Sequence, residues 1–440
     1  MRIIRADRIL TGRPGEIIEN GEILIDGGVI TAVGPRNGTP EDRPEGRRER
    51  RPEDGPEDGP ERRPEDGPER RPEGGRDGGP EGAEIVELPG RTVLPGLVDA
   101  HVHLGFSSGT AQETDARLLL RMAENARKLV AAGVTTARDL GGRGFLDLEL
   151  RDAIEAGLAV GPHVVAATRP ITITGGHCWH MGGEADDEAA IRRVARENLR
   201  AGADCLKVMA SGGRMTPGGP QSWQSQYTAA QIRVVVEEAA GRGKGVAAHA
   251  HAPDAIRSAL EAGVATIEHC TFLDATGGHA YDPELVDRIA AAETYVCPTV
   301  HGLYWTMGEI VGIERMERWL SVVSRMHAAG VKLIAGTDSG FVLGSLANSV
   351  DGYVGGLEAW AEAGLGNAEI IELATVRAAE AIGLGGVAGV LEAGRRADVI
   401  AVRGNPLTRL ADLRDLDLVL VSGRPVTQSG TTSVISSSGS

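Results

Sequence analysis

Apolar and polar positions alternate from Met1 to about Gly34. Ile3, Ala6 and Ile9 lead into Gly21-Glu22-Ile23-Leu24-Ile25-Asp26-Gly27-Gly28. A period of two interrupted by glycines predicts short antiparallel strands with tight turns. From about Arg36 to Gly82 the pattern stops, and Arg-Pro-Glu-Asp-Gly-Pro-Glu recurs at Arg51 to Glu57 and Arg63 to Glu69. With nothing apolar to bury and a proline every few residues, residues 36–82 are expected to be a disordered, solvated insertion, inert or a docking tail.

Strand-like patterning resumes at Ala83 to Leu88 and enters the segment Val93 to His103. Strand, loop and amphipathic helix then alternate. Strands are predicted at Leu97 to His103, Thr135 to Asp139, His163 to Thr174, Cys205 to Ser211, Gly245 to His251, Thr266 to Cys270, Tyr295 to Val300 and Lys332 to Ser339. Helices are predicted between them, at Asp187 to Arg200, Ala229 to Gly241 and Pro283 to Ala292 among others. Eight such units predict an α/β fold, a closed (β/α)8 barrel of the TIM type over residues 93–384, with an open doubly wound sheet as the alternative. Short strands return at Ala397 to Val402 and Leu418 to Val421. The two chain ends, 1–92 and 385–427, are therefore expected to pair into a small β-sandwich domain, and the Ser/Thr/Gly-rich residues 428–440 to form a flexible tail.

Composition narrows the partners. A formal charge of −16 disfavours binding to nucleic acid or an anionic membrane surface. No secretory leader or long apolar run is visible, so a cytoplasmic protein is expected. The cysteines Cys178, Cys205, Cys270 and Cys297 lack Cys-x-x-Cys spacing and read as reduced thiols. Basic residues are almost all arginine, the only lysines being Lys128, Lys207, Lys244 and Lys332.

Active sites of such barrels lie at the carboxyl ends of the strands. Six residues suited to a metal centre, His101, His103, Lys207, His249, His269 and Asp338, fall there. Side chains alternate along a strand, so Asp99, His101 and His103 share one face. Taken singly, each reads equally as a core histidine, a surface lysine or a helix N-cap.

Asp99-Ala100-His101-Val102-His103, Leu206-Lys207-Val208, Ala248-His249-Ala250, Glu268-His269 and Gly336-Thr337-Asp338-Ser339, in this order, resemble the amidohydrolase superfamily. The likeness is to its two-metal branch with a carboxylated lysine, similar to prolidase-like and imidazolonepropionase-like members. It implies two divalent metal ions, zinc foremost: His101, His103 and Asp338 around the more buried one, His249 and His269 around the outer. Lys207 is implied to take up CO2 as a carbamate bridging both, because an unmodified ammonium would be repelled by two cations. A metal-bridging hydroxide would then cleave a C–N bond in an amide or carbamate such as a dipeptide, N-acyl amino acid or anilide. Asp338 would serve as general base and then acid.

For the substrate, Gly175-Gly176-His177 resembles a carboxylate-contacting loop and Tyr227 a residue that assists the carbonyl, while His251 shares the face of His249. Cys178-Trp179-His180-Met181 departs from the small or polar residues of peptidase-like members, which counts against a dipeptide. Trp179, Trp223 and Trp305 fall in loops after strands, pointing either to a small-molecule substrate with an apolar or aromatic part or to a subunit interface. The resemblance implies a homo-oligomer. Two other functions remain open: a one-metal deaminase or cyclic-amide hydrolase that does not need Lys207, and a non-catalytic barrel scaffold.

Overall fold

The computed structural model describes residues 1–36, 82–105, 113–214, 216–340, 342–343, 346–347 and 352–426. The expected insertion, but for its end residues 36 and 82, and the expected tail lie outside the described residues, as does the side chain of Trp305.

The alternating ends of the chain form one sheet. Strands β1 (Arg2–Leu10), β2 (Ile17–Asp26), β3 (Val29–Pro35) and β4 (Glu84–Pro95) come from the N-terminal part. β1 pairs antiparallel with β2 and parallel with β4, and β4 then pairs antiparallel with a strand at Val399–Arg403 from the far end. The result is a single seven-stranded hydrogen-bonded sheet where the alternation predicts a sandwich. Ile4, Ile9, Ile23, Val93 and Val399 fill one apolar cluster.

β4 runs almost directly into β5 (Leu97–Val102). Between them a Cβ on Gly96 would lie 2.1 Å from Thr135 Oγ1, so only glycine lets the chain pass from one sheet to the next here. β5 pairs in parallel with β6 (Val134–Asp139), and β6 with β7 (His163–Ala166). A second parallel sheet holds β8 (Leu206–Met209), β9 (Val246–Ala250), β10 (Thr266–His269) and β11 (Tyr295–Cys297) in that order.

The two sheets are linked at both edges. Ile171, beyond β7, bridges Val208, and Leu333 bridges Val296. Ala100 N donates to Ala335 O, and Ser339 bridges Val102. Hydrogen bonding thus passes from β5 through β11 and the 333–339 segment back to β5. The expected third strand is shorter than its pattern, and the eighth is bridges rather than a ladder. In the eighth, Thr337 N and Asp338 N both donate to His101 O, and Asp338 turns left-handed at φ 53°.

A short hairpin pairs β12 (Val342–Leu343) with β13 (Leu346–Ala347); β14 (Val399–Arg403), β15 (Leu416–Val421) and β16 (Arg424–Pro425) complete the terminal sheet. Helices α1 (Asp115–Ala131), α2 (Leu146–Glu155), α3 (Glu188–Ala201), α4 (Ala229–Ala240), α5 (Pro253–Ala262) and α6 (Pro283–Ala290) alternate with the strands. α7 (Tyr304–Val311) and α8 (Ile313–Ala328) follow β11. Their starts follow sequence logic: Asp187 and Thr228 cap α3 and α4 from their side chains, and Pro283 opens α6 behind Asp282. No helix among the described residues is long and apolar enough to cross a membrane, and the four cysteines are buried free thiols.

Candidate active site

At the carboxyl ends of the parallel strands lies a cavity of about 290 Å³. His101, His103, Lys207, His249, His269 and Asp338 all line it. The strand ends turn sharply to aim these groups, with left-handed backbone at His269, Cys270, Thr299 and Asp338. Such conformations are costly for non-glycine residues and cluster at functional sites. Gly340 is required beside them: at φ 103°, its Cβ would sit 1.9 Å from the carbonyl oxygen of His103.

Two groups of side chains could hold a metal ion at the cavity floor. His101 Nε2 and His103 Nε2 lie 3.4 and 3.3 Å from Asp338 Oδ1. His249, His251 and His269 form a second group with ring centroids 4.5 to 4.7 Å apart. A third set, His101, Glu268 and Cys297, is already used internally, because His101 Nδ1 is 2.8 Å from Glu268 Oε2.

Hydrogen-bond partners fix which nitrogen of each ring is available. His103 Nδ1 faces the Gly141 carbonyl at 3.2 Å, so it carries a proton and leaves Nε2 as the nitrogen that faces Asp338. Thr299 donates its hydroxyl to Pro298 O and therefore accepts from His269 Nδ1, which frees His269 Nε2. His249 is opposite: Nε2 donates to Gly212 O at 3.0 Å, which leaves Nδ1. Neutral imidazoles with one carboxylate make a donor set suited to zinc or a similar first-row ion.

Electrostatics favour the neutral form at four of the rings; at His103 burial also lowers the ring, but the hydrogen bond and charge of Asp338 outweigh it and raise it. Burial pulls His249 and His269 well below the usual imidazole range, His177 down to about 4 and His251 to about 3. Burial opposes ionisation of Asp338, but the charge and hydrogen bond of His101 and the hydrogen bond of His103 outweigh it and hold the carboxyl well below its ordinary value. Lys207 is 1% exposed, and burial lowers its amine below the usual lysine range.

The substrate-side expectations divide. His177 and His251 line the cavity, their Nδ1 atoms 3.1 and 2.8 Å from the hydroxyls of Thr216 and Thr271. Tyr227 and Trp179 are not among its lining residues. Tyr227 is buried with its hydroxyl donated to Ala185 O, and Trp179 sits half-exposed on a short turn. Trp223 also lies outside.

Several lining residues escape the sequence reading. Met316 and Trp319 reach in from α8, with Leu273, Pro298 and His301 beside them. A helix whose apolar residues face a cavity carries the same periodicity as one facing the core. Beneath the site, Glu268 and Arg138 are fully buried and joined at 3.0 Å. Arg138 signals itself in the sequence only as a charge within a strand predicted to be interior, and Glu268 stands in the Glu268-His269 motif without a role of its own.

A family model described as the amidohydrolase family matches residues 92–426. The chain is 28% identical over 358 residues to the ochratoxinase of Aspergillus niger, a match covering 72% of this chain and 71% of that protein. It is 26% identical over 349 residues to the imidazolonepropionase of Symbiobacterium thermophilum, covering 72% and 76%. Among solved structures, an Xaa-Pro dipeptidase with bound methionine superposes with a TM-score of 0.76 at 25% identity, over 96% of this chain and 99% of the other.

Proposed function

This chain belongs to the amidohydrolase family and is a hydrolase acting on carbon–nitrogen bonds; from that premise we propose that it cleaves amide or carbamate bonds of small molecules at a two-metal centre. The observation that carries the reading is the meeting of His101, His103 and Asp338 with His249 and His269 around one cavity that also holds the buried Lys207. The scaffold is a (β/α)8 barrel, with the sheet of both chain ends beside it.

His101, His103 and Asp338 would hold one ion, and His249 and His269 the other. Lys207 lines the same cavity, and its charge acts on His103, His249 and His269, so its side chain would serve both groups of ligands. Its amine makes no hydrogen bond or ion pair among the described residues, and a buried unpaired ammonium is costly. Burial thus shifts the amine toward its neutral form, the form that combines with CO2. Two divalent ions bound there, zinc foremost, would supply a water ionised near neutral pH and a Lewis acid for the scissile carbonyl.

Asp338 Oδ1 stands between two imidazoles and takes the proton of the attacking water, then returns it to the leaving nitrogen. His177 and His251 face the reacting space as neutral hydrogen-bonding groups. Met316, Trp319, Leu273 and Pro298 offer an apolar wall, which suits an N-acyl amino acid or an anilide-like substrate.

The test is metal analysis together with a hydrolysis screen. Protein expressed with zinc and bicarbonate is expected to carry two ions per chain and to hydrolyse members of a panel of dipeptides, N-acyl amino acids, carbamates and anilides. Lys207→Ala is expected to lose at least one ion and the activity. One ion per chain, insensitive to bicarbonate, with no amide turnover would overturn the reading in favour of a mononuclear deaminase or cyclic-amide hydrolase. Full biological activity in Lys207→Ala would instead favour a scaffold.

A further inference from the structure

Behind His101 lies a buried chain of charges that the hydrolytic reading does not use. Glu268 is wholly buried on β10, and each of its oxygens has a distinct duty. Oε2 faces His101 Nδ1 at 2.8 Å. Oε1 receives two donors, Arg138 at 3.0 Å and the Thr266 hydroxyl. Arg138 is itself anchored, its Nε donating to Ala100 O on β5 at 2.7 Å. The guanidinium therefore ties the carboxylate of β10 to the backbone beside His101, across the interior of the ring of strands.

We propose that Glu268, oriented by Arg138 and Thr266, is a positioning residue that holds a proton on His101 Nδ1, so that Nε2 is the nitrogen presented to Asp338 and the metal site. The inference rests on the reading of His101 as a metal ligand. A carboxylate accepts only, so Oε2 admits no arrangement except an Nδ1–H on His101. Partners of this kind orient ligating histidines and raise their basicity.

The geometry yields a sharp consequence for one substitution. In Glu268→Gln the amide has one accepting and one donating end. Arg138 and Thr266 demand the acceptor on their side, so the NH2 must turn toward His101. That NH2 donates to Nδ1 and drives the imidazole proton to Nε2, where it blocks the metal. Replacing Arg138 as well frees the amide to reverse: its oxygen can accept from His101 Nδ1–H while its NH2 donates to Thr266 Oγ1. The double variant Arg138→Met/Glu268→Gln, although it has lost more native contacts, should recover the native tautomer.

The experiment uses the full chain and reads two quantities besides turnover. Histidine 15N shifts in the metal-free protein report whether His101 Nδ1 carries a proton, and competition with a chelator reports zinc affinity. Glu268→Gln is expected to move the proton to Nε2 and weaken zinc binding about 10- to 100-fold; the double variant is expected to restore the Nδ1–H form and most of the affinity. A purely structural role would make the double variant worse than the single, and that order would overturn the proposal, as would an unchanged tautomer in a folded Glu268→Gln protein. His101→Ala separates the two layers. If it lowers zinc binding while Glu268→Gln leaves both readouts alone, the positioning role alone fails. If His101→Ala leaves zinc binding unchanged, the metal-centre reading falls too.

Discussion

Asp99 shows how single residues hold the site together. It is fully buried two positions before His101. Its Oδ1 accepts from His101 N and Thr337 N at 3.2 and 3.0 Å, and its Oδ2 from the Thr337 hydroxyl at 2.6 Å. Burial pushes the carboxyl up to about 7, so these donors are what its charged form depends on. Thr337→Val keeps the shape but withdraws the hydroxyl, and should lower unfolding stability by about 1–3 kcal/mol, the usual penalty for a buried polar group left short of a partner. Urea titration would show a lower midpoint at unchanged slope; an unmoved midpoint would mean that Asp99 finds another donor. The six metal-centre candidates were legible because strand ends and side-chain alternation place them on one face. Glu268, Arg138 and the tautomer assignments were not, since they depend on partners far apart in the chain.

At the scale of elements, legibility followed hydrogen bonding. β9 and β10 lie within their predicted runs and β6 starts one residue ahead of its own, and the capped helices start where Asp, Thr and Pro place them. The third strand was over-read because the apolar pattern continues past Ala166 through a turn with Thr168 left-handed. The eighth was over-read because Asp99 and His101 capture the donors a ladder would use. α8 was not singled out from the sequence, and its Trp319 and Met316 reach the cavity, with Trp319 tilted against Tyr304 at 6.2 Å. If the apolar part of the substrate rests there, Trp319→Ala should raise KM about tenfold for aryl-bearing substrates, the loss expected for burying a side chain's worth of apolar surface. Steady-state kinetics should leave kcat for small acyl substrates nearly unchanged; equal KM values for both substrate classes would remove Trp319 from the binding wall.

For the whole molecule, the terminal sheet and the ring of strands share an interface. Leu94, Ile400 and Val419 pack in one cluster with Leu129 and Val134, and Arg396 donates to Thr136 Oγ1 at 2.7 Å. His163, at the start of β7, meets Ser422 Oγ at 3.0 Å across the same boundary. Burial, with the nearby Arg396 charge, lowers its imidazole to about 4, whereas an unfolded histidine titrates near 6.5. The unfolded chain therefore binds the extra proton first. The stability His163 contributes is complete above about pH 6.5 and is lost as pH falls toward 4, on the order of 3 kcal/mol in all. Denaturant midpoints measured across that window should fall less steeply in His163→Gln than in the parent; parallel curves would exclude the residue as a source of acid lability. The join at Gly96 has a further consequence. The strand that delivers His101 continues β4, and β4, paired with β1 on one side, gains its second partner only when Val399 pairs with Pro95. On the ribosome β4 emerges early and β14 near the end, so the N-terminal half waits with an open sheet edge while the rest is translated. A message cut before residue 399 would therefore yield a chain that carries all six metal-centre candidates without the strand that completes their frame.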